Sequence, residues 1–351
     1  FRFHLGAPMR FILSSNGEYS KHYSIGIDTG LLLSIFPFGE WSFDLFDNFI
    51  RTSDPPYALV AANFTQSQAG NINRDNNLAG LRLRWKPGGQ RFETTLQYGF
   101  GVSYFESQTL ATKTSLTNDF QLRLKWNFFP KTALYLNAGE TINSYVNSGF
   151  NTPPTAYPLR VVLGMLGLIS AKFEVNAYVG YGNSFTGSNV AYQNSASYNN
   201  AIGSLEFTWH PGTLTMFNVG YKHDFAQALI GTFVELDDAW LSFSQAIWKF
   251  NLSLRGQYEH RAFHGSLLQD GLQNLGGGTG MTDNGATNRT DHLIGGPAQL
   301  DFPIRDWLYT SLGYDITKNF SDCKFVKGVL PCTYLRNDVW LRMSVAEALY
   351  P

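Results

Sequence analysis

Long runs in which apolar and polar residues alternate are the feature that most constrains how this chain folds. In residues 91–104, Phe92 and Leu96 lie on one face of an extended strand, and Glu93 and Gln97 lie on the other. Alternation with period two is typical of a strand that has one apolar and one polar face. Similar runs occupy residues 120–128, 173–182, 250–259 and 338–345. The sequence therefore predicts an all-β protein.

The length of these runs favours a membrane protein over a soluble sheet. They contain about 10 to 14 residues, whereas soluble strands usually have about 5 or 6, and a tilted membrane-spanning strand needs about 9 to 11. Charged residues make up 15% of the chain and aromatic residues another 15%, while the mean hydropathy is only -0.17. Strands with one lipid-facing and one water-facing side explain this combination, which is typical of a transmembrane β-barrel. A soluble β-sandwich is the alternative.

Two classes of connection alternate between the runs. Short periplasmic turns at one rim and long extracellular loops at the other are typical of outer-membrane barrels. The tight turns are predicted at residues 37–40, 86–89, 129–131, 170–172, 210–212, 248–249 and 303–305. The long loops are predicted at residues 52–76, 106–117, 147–157, 184–199, 224–232, 264–289 and 319–333.

The turns set the number of strands. Seven tight turns predict fourteen strands, and the runs at residues 2–13 and 334–347 add two more. We therefore expect one antiparallel up-and-down barrel of about sixteen strands over residues 1–351, integral to a bacterial outer membrane. Fourteen is the alternative, because Gly6, Ala7 and Pro8 interrupt the first run. Aromatic residues flank the tight turns, where an interfacial girdle is expected. They include Trp41, Trp85, Trp126, Trp209, Trp248 and Trp307.

Charge, apolar runs and cysteines exclude several other classes. With 26 basic and 27 acidic residues, the chain lacks the basic character of nucleic-acid-binding proteins. The most apolar run, Val161–Ile169, is too short for a membrane-spanning helix. Cys323 and Cys332 have no His pattern that suits zinc, so neither a metal nor a cofactor is expected. A disulfide between them, formed in an oxidising compartment, is the first interpretation, and two unrelated thiols are the alternative.

The polar face of the strands is expected to line the interior. The basic stretch from Leu81 to Lys125 favours anionic solutes if its charges are free, and ion pairs between neighbouring strands are the alternative. Tyr178, Trp240 and Tyr309 offer stacking platforms for sugar rings or simply fill space. The predicted interior residues are Arg82, Arg84, Arg91, Glu93, Arg123, Lys125, Glu174, Tyr178, Glu206, Lys222, Trp240, Arg255, Glu259, Asp338 and Arg342.

Two further segments were considered as sites. The loop at residues 264–289 contains the glycine-rich stretch 276–280, but no Lys-Ser/Thr pair follows it as a phosphate-binding loop requires. We expect a flexible loop that folds into the interior as a constriction. His223, His260, His264 and Ser266 lie near the long-loop rim without the spacing of a hydrolytic set. Catalysis is therefore not expected.

Several segments resemble a family of bacterial outer-membrane β-barrel proteins that are encoded with exopolysaccharide export machinery. The resemblance spans most of the chain, although each motif is short. It is carried by an Arg before a Pro-Pro loop at residues 51–56, and by residues 73–78, 81–89, 129–134, 180–185 and 220–225. It implies a role in moving polysaccharide across the outer membrane.

These observations lead to three functional hypotheses. The first is a passive conduit for polysaccharide or a related polymer, working with periplasmic export proteins. The second is a general diffusion porin for small solutes. The third is a structural or adhesive protein with a plugged barrel, and an outer-membrane hydrolase is a distant fourth. In each case the surrounding partner is outer-membrane lipid and lipopolysaccharide.

Overall fold

The computed structural model describes residues 2–14, 22–54, 72–88, 91–106, 114–147, 152, 154–187, 197–228, 232–264, 290–322 and 333–348. The strands form one closed antiparallel sheet, in which each strand pairs with its neighbours in the chain and the last pairs with the first. The strands are β1 (Arg2–Ser14), β2 (His22–Ile25), β3 (Ile27–Ile35), β4 (Trp41–Asp54), β5 (Ile72–Trp85), β6 (Phe92–Phe105), β7 (Ser115–Phe129), β8 (Thr132–Tyr145), β9 (Leu159–Ser170), β10 (Phe173–Asn183), β11 (Asn199–Trp209), β12 (Thr215–Gln227), β13 (Phe233–Ile247), β14 (Phe250–His264), β15 (Thr290–Arg305), β16 (Leu308–Ser321) and β17 (Tyr334–Ala348).

The seventeen segments make a barrel of sixteen strands, because β2 and β3 are two halves of one barrel strand. Both halves pair with β1, and Gly26 between them donates its backbone N–H to the carbonyl of Pro8 at 2.8 Å. β1 runs through Pro8 without a break and pairs with β17 over its whole length. The predicted fold class and the count of sixteen are therefore confirmed, and the alternative of fourteen strands is wrong.

The connections follow the predicted asymmetry, but strands extend into several predicted loops: β5 begins at Ile72, β7 begins at Ser115 and β16 continues to Ser321. Two further differences have a physical reason. The last tight turn lies at Asp306 and Trp307 instead of residues 303–305, because β15 continues to Arg305. Pro303, which lacks a backbone N–H, lies at a shift in register near the strand end and does not form the turn. The predicted loop at residues 224–232 begins only after Gln227, because β12 continues through Asp224.

Large apolar side chains lie on the outward face of the barrel. Val179 is 64% exposed and Leu241 is 59% exposed. Apolar side chains that project from the outer surface of the protein are expected where a barrel faces lipid. No helix in the described residues is long and apolar enough to cross a membrane.

Stacked aromatic pairs surround the short-turn rim, as predicted. Trp41 and Trp85 stack with ring centroids 5.4 Å apart, and Phe173 stacks on Trp209 at 6.1 Å. In the turn between β13 and β14, Trp248 adopts a left-handed φ of 54° and is 85% exposed. A bulky residue is disfavoured in that conformation. Placing the exposed ring in the membrane–water interface, where tryptophan is favoured, offsets this conformational cost.

A second belt, of tyrosines, lies nearer the long-loop rim and was not predicted. Each tyrosine bonds, through its hydroxyl, to a polar side chain on the next strand. In each case that partner precedes the tyrosine's register partner by two residues. This geometry holds the rings in the wall with their hydroxyls toward the rim, as expected at the outer interface. The pairs are Tyr98–Asn118, Tyr181–Asn199, Tyr221–Asp237, Tyr258–His292 and Tyr314–Asn337.

Candidate functional site

The inward face is identified by contacts that pass over an intervening strand. Tyr135 on β8 donates a hydrogen bond to Asn176 on β10 at 3.2 Å, and its ring lies over Gly164 of β9. A Cβ at Gly164 would lie 2.3 Å from that ring, so only glycine permits the crossing. Because side chains converge on the concave side of a barrel and the large exposed apolar side chains lie on the opposite face, the polar face of these strands lines the interior.

The arginines of β5 are neutralised by carboxylates on the neighbouring strands. Arg82 and Arg84 lie 3.7 Å and 3.0 Å from the buried carboxylate of Asp44 on β4. Arg84 also lies 3.7 Å from Glu93 on β6. For these residues the arrangement favours the ion-pair interpretation of the basic stretch. Arg91 lies in the turn before β6 and not on the strand.

The two basic residues of β7 are different. Among the described residues, Arg123 and Lys125 have no carboxylate within ion-pair distance. The Arg123 guanidinium lies 4.8 Å above the Tyr135 ring, a cation–π contact that leaves its N–H edge available. Among the described strands of the basic stretch, β7 is thus the one whose positive charges have no carboxylate partner.

The long-loop end of β12 lies against strands that are not its neighbours in the barrel. Arg160 on β9 forms an ion pair with Asp224 at 2.9 Å, and its guanidinium lies 4.1 Å above the Phe225 ring. Gln227 donates a hydrogen bond to Tyr145 on β8. These contacts skip two and three intervening strands, so they draw the long-loop end of β12 inward over one part of the barrel's mouth. We call the pair Arg160–Asp224 the strap.

The strap coincides with an interruption in the wall between β11 and β12. Their ladder ends at Gly203 and His223, although β12 continues to Gln227. The buried ring of Tyr198 stacks on Phe225 at 4.4 Å, within an apolar cluster that also contains Ile202 and Phe233. Burial of this cluster stabilises the displaced end of β12.

The predicted stacking platform Trp240 is occupied by protein contacts. Its Nε1–H donates to Asn218 at 2.6 Å, and the Arg255 guanidinium lies 5.1 Å above its ring. Arg255 also lies 3.7 Å from Asp238. Trp240 therefore packs against Arg255 instead of presenting a bare ring. Tyr309, toward the short-turn rim, donates to the carbonyl of Asp306.

The other predicted interior residues are spread around the barrel, and most have a charged or polar partner. The pairs are Glu174–His210, Glu206–Asn218, Lys222–Asp224, Glu259–Arg261, Asp338–Arg336 and Arg342–Asp28. They do not converge on one point. The interior is therefore mixed in charge, without a continuous wall of one sign among the described residues.

Two larger cavities open on the inward face. One of about 710 Å³ lies against β1 and β3–β6 and reaches Arg82 and Gln97. The other, of about 370 Å³, lies against β7–β11 and contains the predicted Tyr178 together with Arg123. Tyr135, Asn137 and Arg160 also line the second cavity and were not predicted. Period two through residues 132–145 would have assigned Tyr135 and Asn137 to the polar face.

Ser266, the serine of the hydrolytic hypothesis, lies outside the described residues, and the three histidines contact carboxylates. His223 and His260 both contact Asp237, at 2.8 Å and 3.4 Å, and His264 lies 3.7 Å from Glu235. Alternation from Tyr221 on β12 assigns His223 to the outward face, and alternation from Tyr258 on β14 assigns His260 and His264 to it, near the tyrosine belt. The same part of the chain holds no group of three or more His, Cys, Asp or Glu side chains arranged to bind a metal.

Two predictions fall on residues that the structure does not describe. Cys323 and Cys332 lie within residues 323–332, and the predicted constricting loop lies almost wholly within residues 265–289. The disulfide and the role of that loop therefore stay predictions.

No protein-family model and no curated protein sequence matches this chain. Solved structures share its fold. The outer membrane protein OpdK from Pseudomonas aeruginosa matches over 99% of this chain and 98% of its own, with a TM-score of 0.52 and 9% identity. OpdK with vanillate gives 0.53 and 8%. The FrpB iron transporter from Neisseria meningitidis matches 94% of this chain with a TM-score of 0.52 and 10% identity, but the chain spans only 64% of that transporter.

These similarities concern the fold, which is that of bacterial outer-membrane barrels. The closed sheet of sixteen barrel strands, the apolar outer face with its two aromatic belts and the polar interior agree with it. The chain is an integral outer-membrane β-barrel.

Proposed function

We propose that this protein is a passive diffusion channel for small hydrophilic solutes and has no catalytic activity. The observation that carries the proposal is the closed barrel of sixteen strands with a polar inward face. Barrels of this size enclose an aqueous channel, whereas eight strands leave room only for side chains. The porin-like fold supports the same conclusion, and the solved complex of OpdK contains vanillate, a small molecule.

The strap favours small solutes over a polymer. It draws the long-loop end of β12 inward over one part of the barrel's mouth, which narrows the path that a polysaccharide chain would take. The covered ring of Trp240 also lacks the open face that a sliding sugar polymer would use. The polysaccharide conduit and its periplasmic partners, which the sequence resemblance implies, therefore rank below the diffusion channel. Contact with lipopolysaccharide at the tyrosine belt is part of the proposal.

Solute flux into liposomes tests the proposal. Liposomes that contain the purified protein should swell in arabinose and more slowly in sucrose, because a narrow aqueous pore discriminates by size. Dextran too large for the pore should stay outside. Liposomes that contain heat-denatured protein are the control.

Two results would contradict the proposal. Swelling no faster than in the control would show that the barrel is plugged, as in the structural hypothesis. Entry of dextran at a rate close to that of sucrose would favour the polymer conduit.

A further inference from the structure

The cavity against β7–β11 has the size and composition of a binding pocket. Its volume of about 370 Å³ lies at the small end of the range of about 300–1,000 Å³ for small-molecule sites. We call it the β7–β11 pocket. Its polar side chains include Asp119, Gln121, Arg123 and Asn137, and its aromatic side chains are Tyr135 and Tyr178.

Arg123 provides hydrogen-bond donors that the protein leaves unused. A guanidinium carries five N–H donors, and no acceptor among the described residues lies within hydrogen-bond distance of this one. Its contact with the Tyr135 ring holds the plane of the group. Tyr135 is itself fixed by its bond to Asn176. Arg123 is thus a positioned donor that faces the pocket.

Asn137 provides an acceptor that is also unused. It is the register partner of Arg123 on β8, and its buried Oδ1 has no hydrogen-bond donor. A solute hydroxyl in the pocket would donate to this oxygen while accepting a bond from Arg123.

The charged groups at the pocket are mixed in sign. Arg160 pairs with Asp224, which also binds Lys222, while Arg123 and Asp119 line the pocket with opposite charges. Asp119 accepts hydrogen bonds from Gln121 at 2.7 Å and Thr141 at 2.8 Å, which hold it at the pocket wall. A carboxylate ligand would accept from Arg123 but would be repelled by Asp119 and would have no proton to donate to Asn137, whereas a hydroxyl group both donates and accepts.

From these observations we propose that the β7–β11 pocket is a subsite for a neutral sugar of one or two rings. Arg123 and Asn137 bind adjacent hydroxyl groups, and Tyr178 borders the ring. The inference rests on the proposed channel, since the sugar reaches the pocket through the interior, and it names the solute class that the channel favours.

Calorimetric titration of the detergent-solubilised full chain with sucrose tests the subsite without requiring transport. Arg123→Ala and Asn137→Ala should each weaken sucrose binding about tenfold, because each removes one hydrogen-bonding partner of the sugar. Lys125→Ala is the matched control. It removes an unpaired positive charge from the same face of the same strand, but Lys125 does not line the pocket, so binding should change less than about twofold.

Three results would overturn the subsite. One is the absence of saturable sucrose binding to the wild-type chain. Another is equal weakening of sucrose binding by Arg123→Ala and Lys125→Ala, which would show that Arg123 contributes only its charge and no hydrogen bond. The third is benzoate binding more tightly than sucrose, which would make the pocket an anion site. Unfolded variants are recognised by loss of β-sheet circular dichroism, and Arg123→Lys then replaces Arg123→Ala. Failure of the channel itself is separate, because it appears as absent swelling with sucrose binding intact.

Discussion

Replacing Leu254 with arginine is expected to lower the free energy of unfolding by about 2–4 kcal/mol, the cost of a basic side chain at the middle of a lipid-facing strand. Leu254 is 41% exposed on the outward face of β14. It lies midway between Phe250 near the short turn and Tyr258 of the tyrosine belt. An arginine there must bury its charge among lipid chains. Equilibrium unfolding in urea, with refolding into phospholipid vesicles, measures the change.

The adjacent residue provides the control. Ser253 lies on the opposite, inward face of the same strand, so Ser253→Arg places the same side chain in the aqueous interior and should change the free energy of unfolding by less than about 1 kcal/mol. Equal destabilisation by the two substitutions, or greater destabilisation by Ser253→Arg, would mean that the assignment of the faces is wrong.

Replacing Arg160 with alanine is expected to raise the single-channel conductance roughly twofold. The substitution removes an ion pair that holds the end of β12 inward, and the pore widens when that end moves back toward the wall. Arg160 joins both Asp224 and the carbonyl of Phe225 to β9. Without it, the end of β12 is held inward only by the Gln227–Tyr145 bond and the cluster around Tyr198, so it moves back toward the barrel wall more readily. Because Asp224 is buried, the variant should also be less stable. Current through single channels in a planar bilayer measures the effect.

Lys222→Ala separates release of the strap from loss of charge. Lys222 lies 2.8 Å from the same carboxylate of Asp224. Both residues belong to β12, so this ion pair does not connect β12 to another strand. Its removal should leave the conductance within about 20% of the wild-type value, because the width of the constriction is unchanged. A conductance that rises equally in both variants would assign the effect to charge. An unchanged conductance in Arg160→Ala would show that the strap does not limit the pore.

Most of the fold could be predicted because its determinants are local. Period two defines both faces of a strand, and residues such as Pro87 and Gly88 mark the turns, so sixteen strands follow without any knowledge of distant contacts. The alternation does not predict that β12 continues to Gln227, and the reason is physical. Lys222, His223 and Asp224 are polar on both faces, as in a loop, but here both faces find protein partners.

The site was harder to predict because its contacts join residues that are distant in sequence. Arg160 begins the most apolar run of the chain, and nothing near it indicates that its partner is Asp224, 64 residues away. The tyrosine belt depends on an offset of two residues between neighbouring strands, which only the register reveals. Arg82 and Arg123 look alike in sequence, but only the pairing of strands shows that Asp44 neutralises the first.

The conductance of the unmodified chain in a planar bilayer decides whether the barrel is an open channel. We expect stable open channels whose current rises linearly with voltage and, because the interior is mixed in charge, only weak preference for cations or anions. Heat-denatured protein should give none. A purified, folded chain that never conducts above the bare bilayer would contradict the claim that the barrel is an open diffusion channel.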